Sequence, residues 1–426
     1  MVSGPEAPLA GSGPGESGAI GMPRPVRLLT FSTLFPHAGR PNHGIFVENR
    51  LRHLLATGGA SSTVVAPVPF FPSRSAHFGE WARHAQAARQ EVRDGLSIDH
   101  PRYLLLPRVG MMVAPPALFA AGLAAIRRRM AAGLTFDLID AHYAYPDGVA
   151  AAALGRVLGK PVVITARGSD VTQYPDHAGP RRMLRWAMGQ ADGLIAVSGG
   201  LKQAMVGLGV PAEKITVLRN GVDLAQFRPI DGGGLRAEWG ALGPVLLSVG
   251  HLIGRKRHHL AIEALPNLPS WTLVIVGEGP ERPQLEALAT SLGVGSRVKF
   301  AGVRPHSELA AFYSAADVMI LASSREGWAN VLLEAMACGT PVVASNIPGN
   351  PEVVQSDVAG RVVAENSAGC FAATITELYA RRPSRDQTRQ YAEAFGWEAT
   401  STGQLDLFRR ILDSRGAFRS GWNSLG

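Results

Sequence analysis

The chain has 426 residues, 46% hydrophobic and 18% charged, the balance of an α/β protein long enough for two or three domains. A net charge of +8 and a pI near 9.9 favour anionic partners such as sugar nucleotides, lipid phosphates or acidic membranes. Nucleic acid is set aside, because no basic cluster is interleaved with aromatics and no finger, RRM or KH pattern occurs. Cys338 and Cys370 are too few for a disulfide framework and lack metal-type spacing.

In chain order, residues 1–23 are rich in Gly, Pro and Ser without the apolar core of a secretory signal, and read as a disordered tail. No apolar run reaches the ~18 residues of a membrane span, so the chain reads as cytoplasmic. Short apolar runs then predict strands at 26–32, 62–68, 136–142, 161–168 and 193–198, with helices over 47–56 and 148–158. PPALFAAGLAAI followed by Arg127-Arg128-Arg129 fits a crossover helix with a solvated end, or the edge of a membrane-surface helix. A Gly- and Pro-containing stretch marks a linker at 224–243. A second set of runs follows at 244–250, 272–279, 298–302, 317–323 and 341–345, and a helical pattern runs through Leu405, Phe408 and Ile411. The alternation predicts two doubly wound, Rossmann-like α/β units, at 24–223 and 244–393, facing a cleft that is the default ligand site.

Residues 323–345, SSREGWANVLLEAMACGTPVVAS, carry the densest chemistry. Gly327 and Trp328 read as a turn, Asn330 starts a short helix, and Val331, Leu332, Ala335 and Met336 are apolar at helical spacing. Glu326 then sits at the helix mouth and Glu334 about one turn inside. A helix N-terminus attracts anions through unpaired N–H groups and its positive dipole end. Two glutamates near a helix start are also simply dipole-favourable. Glu334, however, lies in an apolar helix with no nearby lysine, and a buried carboxylate needs a hydrogen-bonding partner, which a ligand hydroxyl would supply.

This segment resembles the Glu-x7-Glu signature of retaining glycosyltransferase family 4, with weaker similarity from about Val26 to Gly396. The resemblance implies a GT-B fold with an acceptor-binding first domain, a second domain binding a UDP-, GDP- or similar nucleotide sugar, and terminal helices (394–426) returning to the first domain. HGIFVENRLRHLL, AHYAYPDG and TARGSD look most like members that build exopolysaccharide or teichuronic acid-type polymers. A glycan or lipid-linked acceptor and peripheral contact with an anionic inner membrane face are implied accordingly.

Carried over residue by residue, the resemblance assigns Lys256 to the donor phosphates, with Arg255 standing in for the usual arginine replaced here by His251. Glu326, Gly327, Asn330, Val331 and Glu334 fall in the donor motif, Glu334 on the ribose diol. Gly277 lies on a loop lining the donor pocket, and Val303 at the base-binding edge. His142, ending a strand in Asp-x-Ile-x-Ala-His, matches the histidine beside the transferred sugar, so His142, Glu326 and Lys256 are the candidate catalytic set. Arg167, where many relatives carry histidine, and Asp170 are candidate acceptor contacts. Gly44 lies in a loop (36–46) that covers both substrates but lacks the usual double glycine. No Asp-x-Asp occurs, so no metal or other cofactor is expected. Two carboxylates also suit a glycoside hydrolase, and the scaffold suits a nucleotide-sugar epimerase or a catalytically silent binding protein.

Overall fold

The computed structural model describes residues 24–105 and 110–422; the tail expected at 1–23 lies outside them. The first unit holds β1 (Val26–Phe31), β2 (Ala60–Val65), β3 (Val68–Pro69), β4 (Gln90–Arg93), β5 (Leu96–Asp99), β6 (Arg102–Tyr103), β7 (Leu138–His142), β8 (Val162–Ala166), β9 (Gly193–Ala196) and β10 (Ile215–Val217). Eight of these form a sheet in the order β10-β9-β8-β7-β1-β2-β5-β4, and β3 pairs with β6. Every pair in the large sheet is parallel except β4 with β5.

The second unit is wholly parallel, in the order β13-β12-β11-β14-β15-β16. Its strands are β11 (Val245–Val249), β12 (Thr272–Val276), β13 (Val298–Gly302), β14 (Val318–Leu321), β15 (Val342–Ala344) and β16 (Gly360–Val362). All five residues of β7, β8, β11 and β12 are buried, because helices cover both faces of such sheets. Each of the ten expected runs is a strand. The edge strands β4, β10 and β16, and β5 beside β4, were not anticipated.

Residues 224–243 do not hang free between the sheets. They include a short helix, Gly233–Glu238, and dock onto the second unit. Phe227 and Trp239 are buried, Trp239 lies 5.7 Å from the Phe312 ring, and Arg236 pairs with Asp317 at 2.8 Å. Apolar anchors at both ends outweigh the local Gly content. The last helix, Glu398–Trp422, places Leu405, Phe408 and Ile411 in one apolar cluster with Val26, Leu28 and Leu138, so it covers the first sheet.

Helix Gly110–Ala131 contains an 18-residue window of mean hydropathy 1.4, long and apolar enough to cross a membrane by length and composition, where the sequence reading found no such run. Its Leu118, Gly122, Ala125 and Ile126 are buried. A Cβ on Gly122 would stand 2.9 Å from the Phe31 ring, the close packing of a crossover helix on a sheet.

Candidate active site

Among the parallel strands of each sheet the order reverses once, between β1 and β7 and between β11 and β14. Ligands of open α/β sheets bind beyond the carboxyl ends of strands at such points. Here both reversals border one cavity of about 410 Å³, lined by Leu34 and Tyr143 after β1 and β7, and by Gly250 and Glu326 after β11 and β14. Glycines let the two units meet: a Cβ on Gly327 would fall 1.8 Å from the Arg167 carbonyl oxygen.

The second-unit wall is charged. Lys256 Nζ donates to Glu326 Oε1 at 2.7 Å, and Arg255 lies 3.5 Å from Oε2 while also donating to the Arg325 carbonyl. Burial pushes the Glu326 carboxyl up, but Lys256 and Arg255 together hold it below the ordinary carboxylate value. Gly250, at φ +154°, leaves room for the Lys256 stem, 3.4 Å from where a Cβ would stand. Arg255, Lys256, Glu326, Gly327, Asn330 and Val331 all line this cavity. The helix Asn330–Ala337 begins at Ala329 with no side-chain cap among the described residues, while the Asn330 and Leu332 N–H groups donate to the Trp328 and Ala329 carbonyls.

Glu334 does not line it. Its carboxylate accepts from His306 Nε2 at 3.1 Å and from the Tyr313 hydroxyl at 2.8 Å. The sequence expectation of an unpartnered acid was incorrect, because both partners come from a segment 21–28 residues earlier that spacing on one helix cannot reveal. Burial pulls the His306 imidazole down, but Glu334 outweighs it and holds His306 above its ordinary value.

The first-unit wall centres on Arg167, which lines the cavity. Its guanidinium donates to Asn220 Oδ1 at 3.0 Å and to His142 Nδ1 at 2.7 Å, and lies 5.5 Å from the Phe46 ring. Burial, with Arg50 nearby, brings Arg167 down to about 9. His142 is 1% exposed, its Nε2 3.2 Å from Asp140. It therefore stands behind Arg167 rather than facing the cavity. Asp170 is likewise fully buried, accepting the backbone N–H groups of Ala144, Arg167 and Gly168. It shapes the turn that carries Arg167, and its oxygens are not offered to a ligand.

The remaining candidates hold backbone together. Gly44, at φ +69°, packs where a Cβ would fall 2.3 Å from Leu34, and a Cβ on Gly277 would fall 1.9 Å from the Gly250 oxygen. Val303 is exposed in an adjacent cavity of about 630 Å³ between the units, shared with His43, His251 and Glu278. His251 borders both cavities.

Three cavity residues escaped the sequence reading. Asn220 joins the units by donating to Asn330 Oδ1 at 3.2 Å; its Arg-Asn-Gly context was the available signal. Trp328 was read only as part of a turn, yet it lines the cavity with an unpartnered indole N–H. Tyr143 sits at φ +82°, a conformation costing about 1–3 kcal/mol for a non-glycine residue. It is held there by backbone bonds from its own N–H to Thr165 and from Gly148 to its carbonyl. Among the described residues, no group of three or more His, Cys, Asp or Glu side chains is gathered as a metal would require.

Comparison with known proteins agrees with this architecture. Residues 50–226 match the glycosyltransferase family 4 model, and residues 239–395 match that of glycosyl transferases group 1. D-inositol 3-phosphate glycosyltransferase of Mycobacterium tuberculosis is 32% identical over 311 residues, covering 67% of this chain and 64% of the relative. The chain thus spans under two thirds of that relative's length. Sucrose-phosphate synthase from Thermosynechococcus elongatus superposes with a TM-score of 0.73 at 22% identity, covering 92% of this chain and 100% of that one. Anabaena HepE in complex with UDP-glucose gives 0.65 at 20% identity, covering 92% and 99%. Both matched domains are transferase domains, and neither is that of a hydrolase or an epimerase. The chain thus joins a region matching the glycosyltransferase family 4 model to one matching the glycosyl transferases group 1 model, on a GT-B fold.

Proposed function

We propose that the chain moves a sugar from a nucleoside diphosphate sugar to a hydroxyl of a glycan or lipid-linked acceptor, with retention of configuration, in the assembly of a cell-surface polysaccharide. The observation that carries this reading is the single cavity at both strand-order reversals, where Lys256 and Arg255 flank Glu326 beside an uncapped helix start. Fixed cations and helix N–H groups suit a diphosphate both when bound and when it departs with added charge. The nucleoside would extend past His251 toward Val303, which border the adjacent cavity.

In the reaction the acceptor oxygen bonds to the anomeric carbon on the face the diphosphate leaves. The carbon–phosphate oxygen bond breaks, and the acceptor proton passes to the departing phosphate. Lys256 and Arg255 stabilise the diphosphate. Arg167 faces the reacting sugar from the other unit, with His142 as a positioning residue behind it. HepE, crystallised with UDP-glucose, supports a nucleotide-sugar donor, and WaaG, involved in lipopolysaccharide biosynthesis, supports surface-polymer chemistry.

Incubation with labelled UDP- and GDP-sugars, with and without acceptor, tests the reading. Acceptor-dependent transfer that survives chelator is expected. Sugar epimerisation, hydrolysis of glycosides, or transfer abolished by chelator and restored by manganese would overturn it. The basic charge further supports reversible docking on the cytoplasmic membrane face. Co-sedimentation with anionic vesicles should weaken as salt shortens the ~8 Å screening length of physiological ionic strength. Equal binding to neutral vesicles would count against docking.

A further inference from the structure

A second pocket of about 630 Å³ opens in the first unit alone, within the range of roughly 300–1,000 Å³ that small-ligand sites occupy. It shares Leu34 and Tyr143 with the reaction cavity, so the two adjoin across these side chains. Its walls are mostly rings and apolar chains: Trp81, Tyr103, Tyr145, Tyr174, Leu105 and Met111. The lip is apolar as well. Phe71 lies 5.3 Å from the Phe78 ring and 5.9 Å from Trp81, while Phe70, Phe78, Leu104 and Met112, which neighbour the lining residues in the chain, are exposed.

The polar groups of this pocket carry little charge. Burial drives His37 down to about 3 and His43 to about 4, and lowers His84, so all three are neutral imidazoles at pH 7. Arg40, the cation in the lining, lies 3.5 Å from Glu80. His37 is 2% exposed, and His37 Nδ1 and His84 Nδ1 are both buried without a partner among the described residues. Among the described residues a phosphorylated ligand would find Arg40 beside Glu80 rather than a set of free cations to replace its water. An apolar or flat-faced group would cover the rings and apolar chains that line this pocket.

We infer that this pocket holds the uncharged, hydrophobic aglycone of the acceptor, leading from a hydroxyl-bearing head in the reaction cavity to the exposed apolar lip. The inference rests on the transfer reading above and specifies its acceptor class. That class departs from the phosphorylated cyclitol in the name of the mycobacterial relative.

Isothermal titration calorimetry tests it with octyl β-glucoside below its micelle concentration, phenyl β-glucoside, glucose and inositol 3-phosphate, each with and without saturating UDP. One or both glycosides should bind at least about tenfold tighter than glucose, as burying one aromatic or alkyl group would give; the stronger identifies an alkyl or an aryl aglycone. Trp81→Ala and Met111→Asp, both at partly exposed positions, should each erase about tenfold of that preference and leave UDP affinity unchanged. Glycosides binding no tighter than glucose, or inositol 3-phosphate binding tighter than both, would overturn the inference. So would a preference insensitive to both substitutions. Absence of UDP binding would instead strike the transfer reading, and the titrations without UDP would still decide this one.

Discussion

The two walls of the cleft solve different problems. On the second unit, charge is gathered in advance: Lys256 and Arg255 converge on Glu326 from a loop after β11 onto a loop after β14. On the first, the buried cation Arg167 is tied back to His142 and Asn220, and the pocket beyond it is neutral and aromatic. Under the proposed transfer, one wall would hold a highly charged group that must leave, and the other would orient a partner recognised mainly through apolar contact. The cations of one wall would hold a diphosphate, and the rings of the other would select what receives the sugar.

The comparison is broken most directly at Lys256. Lys256→Ala should lower kcat/KM by about 10²–10³-fold, the typical cost of removing a transition-state donor. Arg40→Ala, a cation on the neutral side, should change it less than about threefold. Equal losses in steady-state kinetics would mean that both walls bind charge. Lys256→Ala should also show in acid unfolding. A depressed carboxyl contributes stability that is present above its unfolded value and lost as pH falls through its folded value. With Lys256 gone, Glu326 should titrate at higher pH, so the acid-unfolding midpoint should move upward.

Glu334→Gln sharpens the boundary of the charged wall. As placed, Glu334 serves His306 and Tyr313, and the substitution should cost about 1–2 kcal/mol of stability with UDP affinity changed less than about threefold. The pH signature is specific. A histidine held above its ordinary value contributes stability that is complete below about 6.5 and lost as pH rises through its folded value. The stability difference between the two proteins should therefore be larger at pH 6 than at pH 9. A tenfold loss of UDP affinity by calorimetry with an unchanged thermal midpoint would instead make Glu334 a donor ligand, as the family resemblance implies.

How far each wall was legible in the sequence follows from how it is assembled. The central strands of both sheets announce themselves because burial on both faces demands continuous apolar runs such as VLLSV and TLVIV. The hairpin β4–β5 was invisible for the opposite reason: QEVR is an edge with exposed or half-exposed side chains, and charged edge residues resemble a loop. The Glu326 element could be read because its turn, helix start and acid are contiguous. His142 and Asp170 were placed at the right strand ends but faced wrongly, since what they meet is decided by Arg167 and by a turn, not by their own strand. The aromatic pocket had no linear trace. It collects Val68, Trp81, Tyr103, Met111, Tyr145 and Tyr174, which the packing of helix Gly110–Ala131 and the β3–β6 pair brings together.

The smallest expected effect concerns what holds the walls face to face. Glu352, in the second unit, accepts the backbone N–H groups of Gly199 and Gly200 at 2.9 Å each, and Arg219 donates to it at 2.8 Å. It thereby caps the start of helix Gly199–Gly207 across the domain boundary, where a negative charge meets the positive dipole end. Burial raises this carboxyl, but the two N–H groups and Arg219 hold it below its ordinary value. Glu352→Ala should remove about 1 kcal/mol and lower the thermal midpoint by about 1 °C. It should also enlarge the radius of gyration in small-angle scattering as the cleft opens. Because a depressed carboxyl loses its contribution as pH falls through its folded value, the deficit should be present at pH 7 and fade in acid. A midpoint deficit without expansion would make Glu352 only a helix cap. The cleft would then be held by the Gly168–Gly327 contact and the Asn220–Asn330 bond, and Asn220→Ala would become the substitution that opens it.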